Sequence, residues 1–278
     1  MVIFNNKNVV KGKFPNNEVD YLPITEDICY KNCPDEFELI FESNEDLFNL
    51  QVAKKMWDDI PEDDRSGFTT LYMQFCPYSQ MDRPMQSHGF SLKAVAELIN
   101  ELNFSTVVIA DPHSPVVSSL IKRSNIWYPI KDFLEADKAA QEGLSSWDLL
   151  FFPDNGASKK YSEVLDCKNY RFGNKKRNLD TGEIECYEII ASDDDIKGKD
   201  ILIVDDLCMG GRTFAEAAKA LYEKGASNVD LYITHLMPQS SKFIKDCANG
   251  EHHIRTVYSF DSLNILRKDK VCETVTVA

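Results

Sequence analysis

The sequence predicts an α/β protein with two domains, each a mainly parallel sheet flanked by helices. Short apolar runs end in polar loops and are followed by amphipathic helical segments, and this alternation occurs in both halves of the 278 residues. The hydrophobic content of 43% is sufficient for a substantial core in each half. We place the boundary near residue 140, which gives domains at 1–140 and 141–278.

The N-terminal half contains two predicted strands with a helix between them. Residues 69–75 form an apolar strand that runs into the loop CPYSQMDRP, and residues 106–110 form a strand that ends at the triplet DPH at 111–113. Between them, residues 92–102 have the spacing of an amphipathic helix. Residues 132–146 are polar and helical, and they lead to the predicted boundary.

The first part of the C-terminal half contains two predicted strands and a loop. Residues 147–152 read as a strand that ends at the turn PDNG at 153–156, and residues 185–191 read as another strand. Residues 171–184, between them, are rich in Lys, Arg, Asn and Gly. That composition predicts a mobile loop.

The remainder of the C-terminal half predicts a right-handed βαβ unit. Residues 201–204 form a buried strand, residues 213–224 form a helix with one apolar face, and Gly225 provides its C-cap. Residues 229–234 form the next strand, which we expect to lie parallel to the first.

Charge and hydropathy exclude several classes of function. The net charge of −14 opposes nonspecific binding to nucleic acid, which requires a basic surface. No apolar stretch is long enough to cross a bilayer, and the N-terminal sequence MVIFNNKNVVKGKF lacks the pattern of a signal peptide. We therefore expect a cytoplasmic protein with neither nucleic acid nor membrane as a partner.

The cysteines and several charged groups have simple interpretations. Without CxxC pairs or zinc spacing, the cysteines are expected to be free thiols. They are Cys29, Cys33, Cys76, Cys167, Cys186, Cys208, Cys247 and Cys272. The pair Lys159-Lys160 and the run at 193–195 are predicted to be solvated charges. We interpret the loose group Cys247, His252 and His253 as incidental, because a metal site needs a fourth ligand and better spacing.

The segment at 201–214, ILIVDDLCMGGRTF, predicts a cradle for a sugar phosphate. The residues with the relevant chemistry are Asp205, Asp206, Gly210, Gly211, Arg212 and Thr213. Carboxylates at a strand end suit sugar hydroxyls or a metal-bound diol, and a glycine-rich turn before a helix suits phosphate. The segment matches neither a Walker loop nor the dinucleotide fingerprint. An ordinary acidic turn is the alternative, but two adjacent carboxylates after a buried strand are costly without a partner.

This loop resembles the PRPP-binding loop of the type I phosphoribosyltransferase fold. Four further segments, SQMDR, DPH, PDNG and NKKR, precede it in the order of the motifs RQDR, DLH, PDxG and KRR of ribose-phosphate diphosphokinases, the PRPP synthetases. The resemblance extends from residue 14 to about residue 235. Each motif alone is weak, but the ordered set of five is a strong signal.

The resemblance implies an ATP-dependent diphosphokinase that transfers the β,γ-diphosphate of MgATP to the C1 hydroxyl of ribose 5-phosphate. ATP and Mg²⁺ would be the co-substrate and the cofactor. The implied ATP-binding residues are Phe14, Glu18, Asp82, Arg83 and His113, and the implied ribose-phosphate residues are Asp154, Asp205, Asp206, Gly210, Gly211, Arg212 and Thr213. His113 and Asp154 would contact the metal, and Lys175, Arg177 and His113 would be catalytic. A homo-oligomer, dimer or higher, is implied because in this family a neighbouring subunit completes the adenine site through the loop that corresponds to 14–18.

Departures from the family pattern leave the acceptor and the activity open. The usual Asp-Thr-Gly/Ala-Gly-Thr becomes Met-Gly-Gly-Arg-Thr at 209–213, and the adenine loop keeps only its ends, Phe14 and Glu18. Because Arg212 could pair with added phosphate and the glycines reduce crowding, a 5-extended ribose such as ADP-ribose is a second candidate acceptor. A PRPP-using phosphoribosyltransferase and a catalytically silent regulatory subunit are the alternatives. The presence of DPH together with NKKR argues against the first alternative. Retention of His113, Lys175 and Arg177 argues against the second.

Overall fold

The computed structural model describes residues 1–30, 33–85, 89–141, 145–177, 184–260, 262–263 and 275–277, with only the backbone at 175–177, 184–186 and 275–277. The chain forms two compact units, Met1–Trp127 and Tyr128–Ala278. The helix Pro129–Ala140 belongs to the second unit, so this division precedes the predicted boundary near residue 140 by one helix. Within the described residues, no helix is long and apolar enough to cross a membrane.

The first unit contains a six-stranded sheet in the order β2-β1-β5-β6-β7-β8. Its strands are β1 Val2–Phe4, β2 Lys7–Asn8, β5 Asp35–Leu39, β6 Thr69–Met73, β7 Thr106–Ala110 and β8 Ser124–Trp127. A separate hairpin consists of β3 Val10–Lys13 and β4 Val19–Tyr21, and the helices are α1 Glu45–Asp58, α2 Ser91–Glu101 and α3 Val116–Leu120. Strands β5 to β8 are parallel, so their carboxyl ends lie at one edge of the sheet.

The second unit contains a seven-stranded sheet in the order β11-β10-β9-β12-β13-β14-β15. Its strands are β9 Leu149–Phe152, β10 Tyr170–Arg177, β11 Ile184–Ile190, β12 Asp200–Cys208, β13 Asn228–Leu236, β14 Val257–Ser259 and β15 Val275–Val277. Its helices are α4 Pro129–Ala140, α5 Asn155–Val164, α6 Arg212–Glu223 and α7 Ser241–Ala248. Along the sheet, every neighbouring pair is parallel from β10 through β9, β12, β13 and β14 to β15. Strand β11 lies at the other edge and is antiparallel to β10.

Strand β12 separates the two hydrophobic layers of the second unit. Successive side chains of a strand point to opposite faces, so Ile203 packs in the layer that contains Phe214 of α6. Val204 packs in the layer that contains Tyr161 of α5. Both valine and isoleucine are fully buried. The same alternation governs the acidic pair that follows in this strand.

Most predicted elements are confirmed, but the predicted loop at 171–184 is partly wrong. Residues 171–177 belong to β10, and its partner β11 begins at Ile184. The remainder, 178–183, lies outside the described residues. Polar composition predicted a loop, whereas the antiparallel pairing with β11 satisfies the backbone of this segment as a strand.

The acidic run at 193–195 forms a short 3-10 turn with a capping box on Ser192. The prediction of purely solvated charges is wrong for Asp195, because its carboxylate forms an ion pair with Arg171 of β10. This pair and two hydrogen bonds from Ser192 hold the pKa of Asp195 well below its usual range. Asp195 therefore links the turn to the strand that carries the segment NKKR.

Candidate active site

The second unit places the PDNG turn and the acidic pair at the same edge of the sheet. Ile203 of β12 lies opposite Phe151 of β9 in a parallel register, so Asp205 is level with Pro153, which follows β9. Carboxyl ends of parallel strands are where ligands of open α/β sheets bind. The structure therefore brings together two of the segments that the sequence singled out.

Asp154 is the N-cap of α5. Its backbone is extended, and its carboxylate accepts a hydrogen bond of 2.9 Å from the N–H of Ala157. An aspartate in this position satisfies an N–H group that the first turn of a helix cannot satisfy internally. Asp154 thus has a structural role at the predicted sugar site, and its carboxylate is fixed at the carboxyl edge of the sheet.

The two aspartates of β12 have different surroundings. Asp206 lies on the α5 face, where its side chain is 7% exposed and its Oδ2 is 3.0 Å from the Nζ of Lys160. Asp205 is only half-buried, and its Oδ1 accepts the N–H of Asp206 at 2.9 Å. The alternation of side chains along the strand places the two carboxylates on opposite faces.

The prediction that Lys159 and Lys160 are both solvated is wrong for Lys160. Its side chain is 18% exposed and pairs with Asp206, whereas Lys159 is exposed. Helical spacing provides the signal, because Lys160 lies three residues after buried Ala157 and beside buried Tyr161. A lysine on the apolar face of a short helix indicates a buried partner.

Tyr187 of β11 is a further site residue that the sequence did not reveal. Its hydroxyl donates a hydrogen bond of 2.9 Å to the carbonyl of Pro153. Burial raises the pKa of the Tyr187 hydroxyl, and the nearby Asp154 and Asp205 raise it further. Both carboxylates therefore act electrostatically on this hydroxyl. The only sequence signal is Gly173 on the neighbouring strand, where an added Cβ would lie 2.0 Å from the Tyr187 oxygen.

The predicted phosphate loop joins β12 to α6. Strand β12 ends at Cys208, and Gly211 is the N-cap of α6 with a φ of 76°, a conformation that favours glycine. Arg212 opens the helix and is exposed, and Thr213 follows it half-buried. The first turn of this 12-residue helix supplies the N–H groups and the dipole that attract phosphate.

The two glycines of this loop have different surroundings. A Cβ on Gly211 would lie 2.0 Å from the Cγ of Phe243 in α7, whereas nothing lies within 4 Å of a Cβ on Gly210. The expectation that both glycines make room for a ligand is therefore corrected for Gly211, which is needed for packing against Phe243. Only Gly210 leaves open space.

The segment NKKR lies at the end of a two-stranded extension of the sheet. Pairing of β10 with β9 ends at Phe172, whereas pairing with β11 continues to Arg177. In that pairing Lys175 lies opposite Tyr187, and the register shifts between Lys176 and Arg177. Such bulges are over-represented beside active sites, where they change the direction of a side chain.

In the first unit, a hydrogen bond connects the segment SQMDR with the residue that follows DPH. Ser114 follows His113, and its hydroxyl donates to Asp82 Oδ2 at 2.6 Å. Arg83 is largely exposed, and its Nε lies 3.2 Å from the other oxygen of Asp82. Three predicted residues, Asp82, Arg83 and His113, therefore occur in one region of this unit, at the carboxyl edge that β6 and β7 share. Ser114, which the sequence did not single out, joins them.

The loop that contains Phe14 and Glu18 is the tip of the hairpin formed by β3 and β4. The N–H of Phe14 donates to the carbonyl of Glu18 at 2.8 Å, and the N–H of Asn17 donates to the carbonyl of Phe14 at 2.8 Å. Asn17 takes a φ of 71°, which asparagine tolerates better than most residues. The ring of Phe14 is 52% exposed at this tip.

Other histidines have roles apart from these segments. His235 is buried, with its Nδ1 2.7 Å from the hydroxyl of Ser262, which agrees with packing as an explanation.

Among the described residues, a group that could hold a metal is formed by Asp246, Glu251 and His252. The thiol of Cys247 is buried, which raises its pKa to about 12. Asp246 already pairs with Lys242 at 2.9 Å.

Comparisons with known proteins agree with the fold of the two units. The phosphoribosyl transferase domain family matches residues 158–260. The structure of phosphoribosylpyrophosphate synthetase from Mycobacterium smegmatis matches with a TM-score of 0.71 and 19% identity, over 99% of this chain and 87% of that chain. The fold and the acidic loop thus define a protein of the phosphoribosyltransferase fold class, and the predicted fold is confirmed.

Several sequence relatives of this chain are ribose-phosphate pyrophosphokinases. Ribose-phosphate pyrophosphokinase from Saccharolobus solfataricus is 28% identical over 60% of this chain and 57% of its own length. The enzyme of the same name from Marinomonas sp. is 26% identical over 87% of this chain and 75% of its own length. That from Agrobacterium fabrum is 27% identical over 82% and 71%. The chain is therefore similar to ribose-phosphate pyrophosphokinases over most of its length. It spans 57% of the length of the Saccharolobus relative.

Proposed function

We propose that this protein transfers the β,γ-diphosphate of MgATP to the C1 hydroxyl of a ribose phosphate, which gives PRPP from ribose 5-phosphate. The observation that supports this most strongly is the common edge of the second unit, where the PDNG turn, the acidic pair and the phosphate loop meet. The family relatives are named for the same activity. The region matched by the phosphoribosyl transferase domain includes the acidic pair and the phosphate loop.

The second unit is the proposed site for the ribose phosphate. Asp205 and Asp206 would accept hydrogen bonds from the 2- and 3-hydroxyls of the sugar, since ionised carboxylates are pure acceptors. The loop Gly210, Gly211, Arg212 and Thr213 would bind the 5-phosphate through the N-terminus of α6. Asp154 would lie beside the sugar, because its carboxylate and that of Asp205 are both near the Tyr187 hydroxyl.

The oxygen donors of the second unit fit Mg²⁺. This cation prefers carboxylate oxygens, and Asp154 and Asp205 supply two of them near one hydroxyl group. Asp154 would hold the ion on the ribose side, and His113 is proposed for the nucleotide-bound magnesium and the phosphate. When bound, Mg²⁺ neutralises phosphate charge during the transfer.

Phosphoryl transfer of this kind depends on positioning and charge neutralisation more than on a nucleophilic side chain. Lys175 and Arg177 lie on the extension formed by β10 and β11, and they are the proposed cations for the transferring diphosphate. The exposed hairpin tip with Phe14 and Glu18 is proposed to contact the adenine of a neighbouring subunit in a homo-oligomer. Asp82 and Arg83 would complete the ATP site. The enzyme is proposed to be cytoplasmic.

Asparagine at position 205 or 206 is expected to weaken the binding of ribose 5-phosphate. Each change removes the charge that strengthens a hydrogen bond to a sugar hydroxyl, which is worth roughly 1.5 to 3 kcal/mol. Titration calorimetry of D205N and D206N with ribose 5-phosphate measures the loss. Both variants should retain a cooperative thermal transition without ligand. If both lost the folded state, the acidic pair would have a structural role instead.

The identity of the acceptor is open to a direct comparison. Arg212 is exposed at the first position of α6, and Gly210 leaves space beside it. We propose that the enzyme uses ADP-ribose, or a similar 5-extended ribose, with a kcat/KM equal to or higher than that for ribose 5-phosphate. The additional phosphate would form a charge-assisted pair with the guanidinium of Arg212.

Arginine 212 is expected to distinguish the two acceptors. In R212A, kcat/KM should fall by about tenfold or more for ADP-ribose, because a charge-assisted hydrogen bond is worth roughly 1.5 to 3 kcal/mol, and by less for ribose 5-phosphate. Steady-state kinetics with both acceptors measures the difference. An equal loss for both acceptors, or no use of ADP-ribose by the wild type, would leave ribose 5-phosphate as the acceptor.

Products identify the reaction class. With ATP, Mg²⁺ and a panel of ribose phosphates, the proposed enzyme forms AMP together with a diphosphorylated sugar, which mass spectrometry detects. A phosphoribosyltransferase would instead consume PRPP in the presence of a base and leave ATP intact. A silent regulatory subunit would do neither and would change the rate of a catalytic partner.

A further inference from the structure

The ion pair between Lys160 and Asp206 connects α5 to the acidic strand β12. The Nζ of Lys160 lies 3.0 Å from Asp206 Oδ2, and the two side chains are 18% and 7% exposed. The same ammonium lies 5.0 Å from the centre of the Tyr161 ring. Lys160 is therefore held between a carboxylate and an aromatic face on the buried side of its helix.

A carboxylate as buried as Asp206 depends on such a partner. Removal of an ionised carboxylate from water is unfavourable unless an opposite charge or hydrogen-bond donors compensate for it. Without the ammonium, the carboxylate of Asp206 would lose the charged group that holds it at this position and would be free to turn toward solvent. The edge of the sheet would then lose an acceptor of fixed orientation.

Helix α5 holds this ammonium in a defined place. Asp154 caps the helix at its N-terminus, and buried Ala157 and Tyr161 pack the helix against the sheet. Lys160 is the sixth residue of the same short helix. One rigid element thus positions the PDNG turn and, through Lys160, the carboxylate of Asp206.

We propose that Lys160 is a positioning residue of the ribose site, which holds the carboxylate of Asp206 in a fixed orientation for the sugar hydroxyls. The inference rests on the proposed ribose site. Lys160 acts through Asp206 and need not contact the ligand itself. It gives the lysine of the segment ASKK a function that its exposed neighbour Lys159 does not share.

Lys160→Met tests the proposal, because methionine retains an unbranched apolar stem of similar length and removes the charge. The dissociation constant of ribose 5-phosphate, measured by calorimetry without ATP, should rise about tenfold or more, as expected for the loss of a fixed charge at one hydrogen bond. The kcat at saturating ribose 5-phosphate should change by less than about threefold, since uniform binding affects KM. Lys160→Arg should recover most of the affinity.

Matched controls separate this role from a purely structural one. Lys159→Met makes the same chemical change on the exposed side of α5 and should leave the dissociation constant unchanged. The double variant K160M/D206N removes both charges, so it should fold even if K160M does not, and it should bind no more weakly than D206N alone. Unchanged affinity in K160M, or additive losses in the double variant, would overturn the proposal.

The binding assay also separates this inference from the proposed reaction. If the wild type binds ribose 5-phosphate but forms no AMP, the diphosphokinase proposal fails while the role of Lys160 is still decided by K160M. If the wild type forms AMP and K160M binds normally, the reaction stands and the role of Lys160 fails. Absence of any ribose 5-phosphate binding by the wild type would overturn the role of Lys160, whereas formation of AMP would still decide the reaction.

Discussion

Replacement of Lys175 or Arg177 by alanine is expected to lower kcat by roughly 100 to 1000-fold, because one well-placed group that stabilises transition-state charge is worth about 3 to 4 kcal/mol. The dissociation constant of MgATP should change little. Charge on the transferring diphosphate develops during the reaction, so cations that meet it there affect the rate more than binding. Steady-state and binding measurements on K175A and R177A separate the two quantities.

The position of Lys175 and Arg177 in the sheet supports their proposed catalytic role. Strand β10 continues beyond its pairing with β9, and Lys175 and Arg177 lie on this extension, with a register shift just before Arg177. Lys168, an exposed lysine before β10, provides the control K168A with the same loss of charge. Turnover near the wild-type level in K175A and R177A, or an equal loss of turnover in K168A, would show that Lys175 and Arg177 have no specific role in the reaction.

Gly211→Ala is expected to lower the free energy of unfolding by about 2 to 5 kcal/mol and to abolish tight binding of ribose 5-phosphate. A φ of 76° costs an L-residue roughly 1 to 2 kcal/mol. The new methyl group would also lie 2.0 Å from Phe243 Cγ, and such overpacking costs about 1 to 3 kcal/mol more. The phosphate loop must therefore shift away from α7. Thermal and chemical denaturation, together with calorimetry, measure both effects.

Two further variants make this prediction specific. Gly210→Ala adds the same methyl group where nothing lies within 4 Å, so its stability should stay within about 0.5 kcal/mol of the wild type, as for most changes away from special features. Phe243→Ala in the G211A background removes the ring that the methyl group meets and should restore part of the ligand affinity. Equal stability of G211A and G210A would contradict the described packing.

Hydrophobic periodicity predicted the frame of both units. The predicted helix at 213–224 corresponds to α6 Arg212–Glu223, and the predicted strand at 106–110 has the same bounds as β7. These elements carry one apolar face or a continuous apolar run, which local sequence encodes directly. The segment at 171–177 lacks that signal. It forms β10 because of long-range pairing with β11, which composition does not reveal.

The candidate site was predictable where its residues follow strands in the sequence. Asp154 follows the end of β9, and Asp205 and Asp206 follow the apolar run that predicted a strand at 201–204, although β12 continues to Cys208. The register of β9 and β12 brings the two segments together. Lys160 and Tyr187 were not predicted because their roles arise from contacts between elements. The packing reason for Gly211 was hidden as well, since it depends on Phe243, 32 residues further along the chain.

The most direct measurement follows the β-phosphate of ATP. The protein is incubated with Mg²⁺, ribose 5-phosphate and ATP labelled at the β-phosphorus, and the nucleotide and sugar products are separated and quantified. We predict that AMP without label and a labelled sugar diphosphate form in equal amounts, and that neither forms when ribose 5-phosphate is omitted. Release of labelled ADP, or no consumption of ATP with any ribose phosphate, would contradict the proposed transfer of a diphosphate.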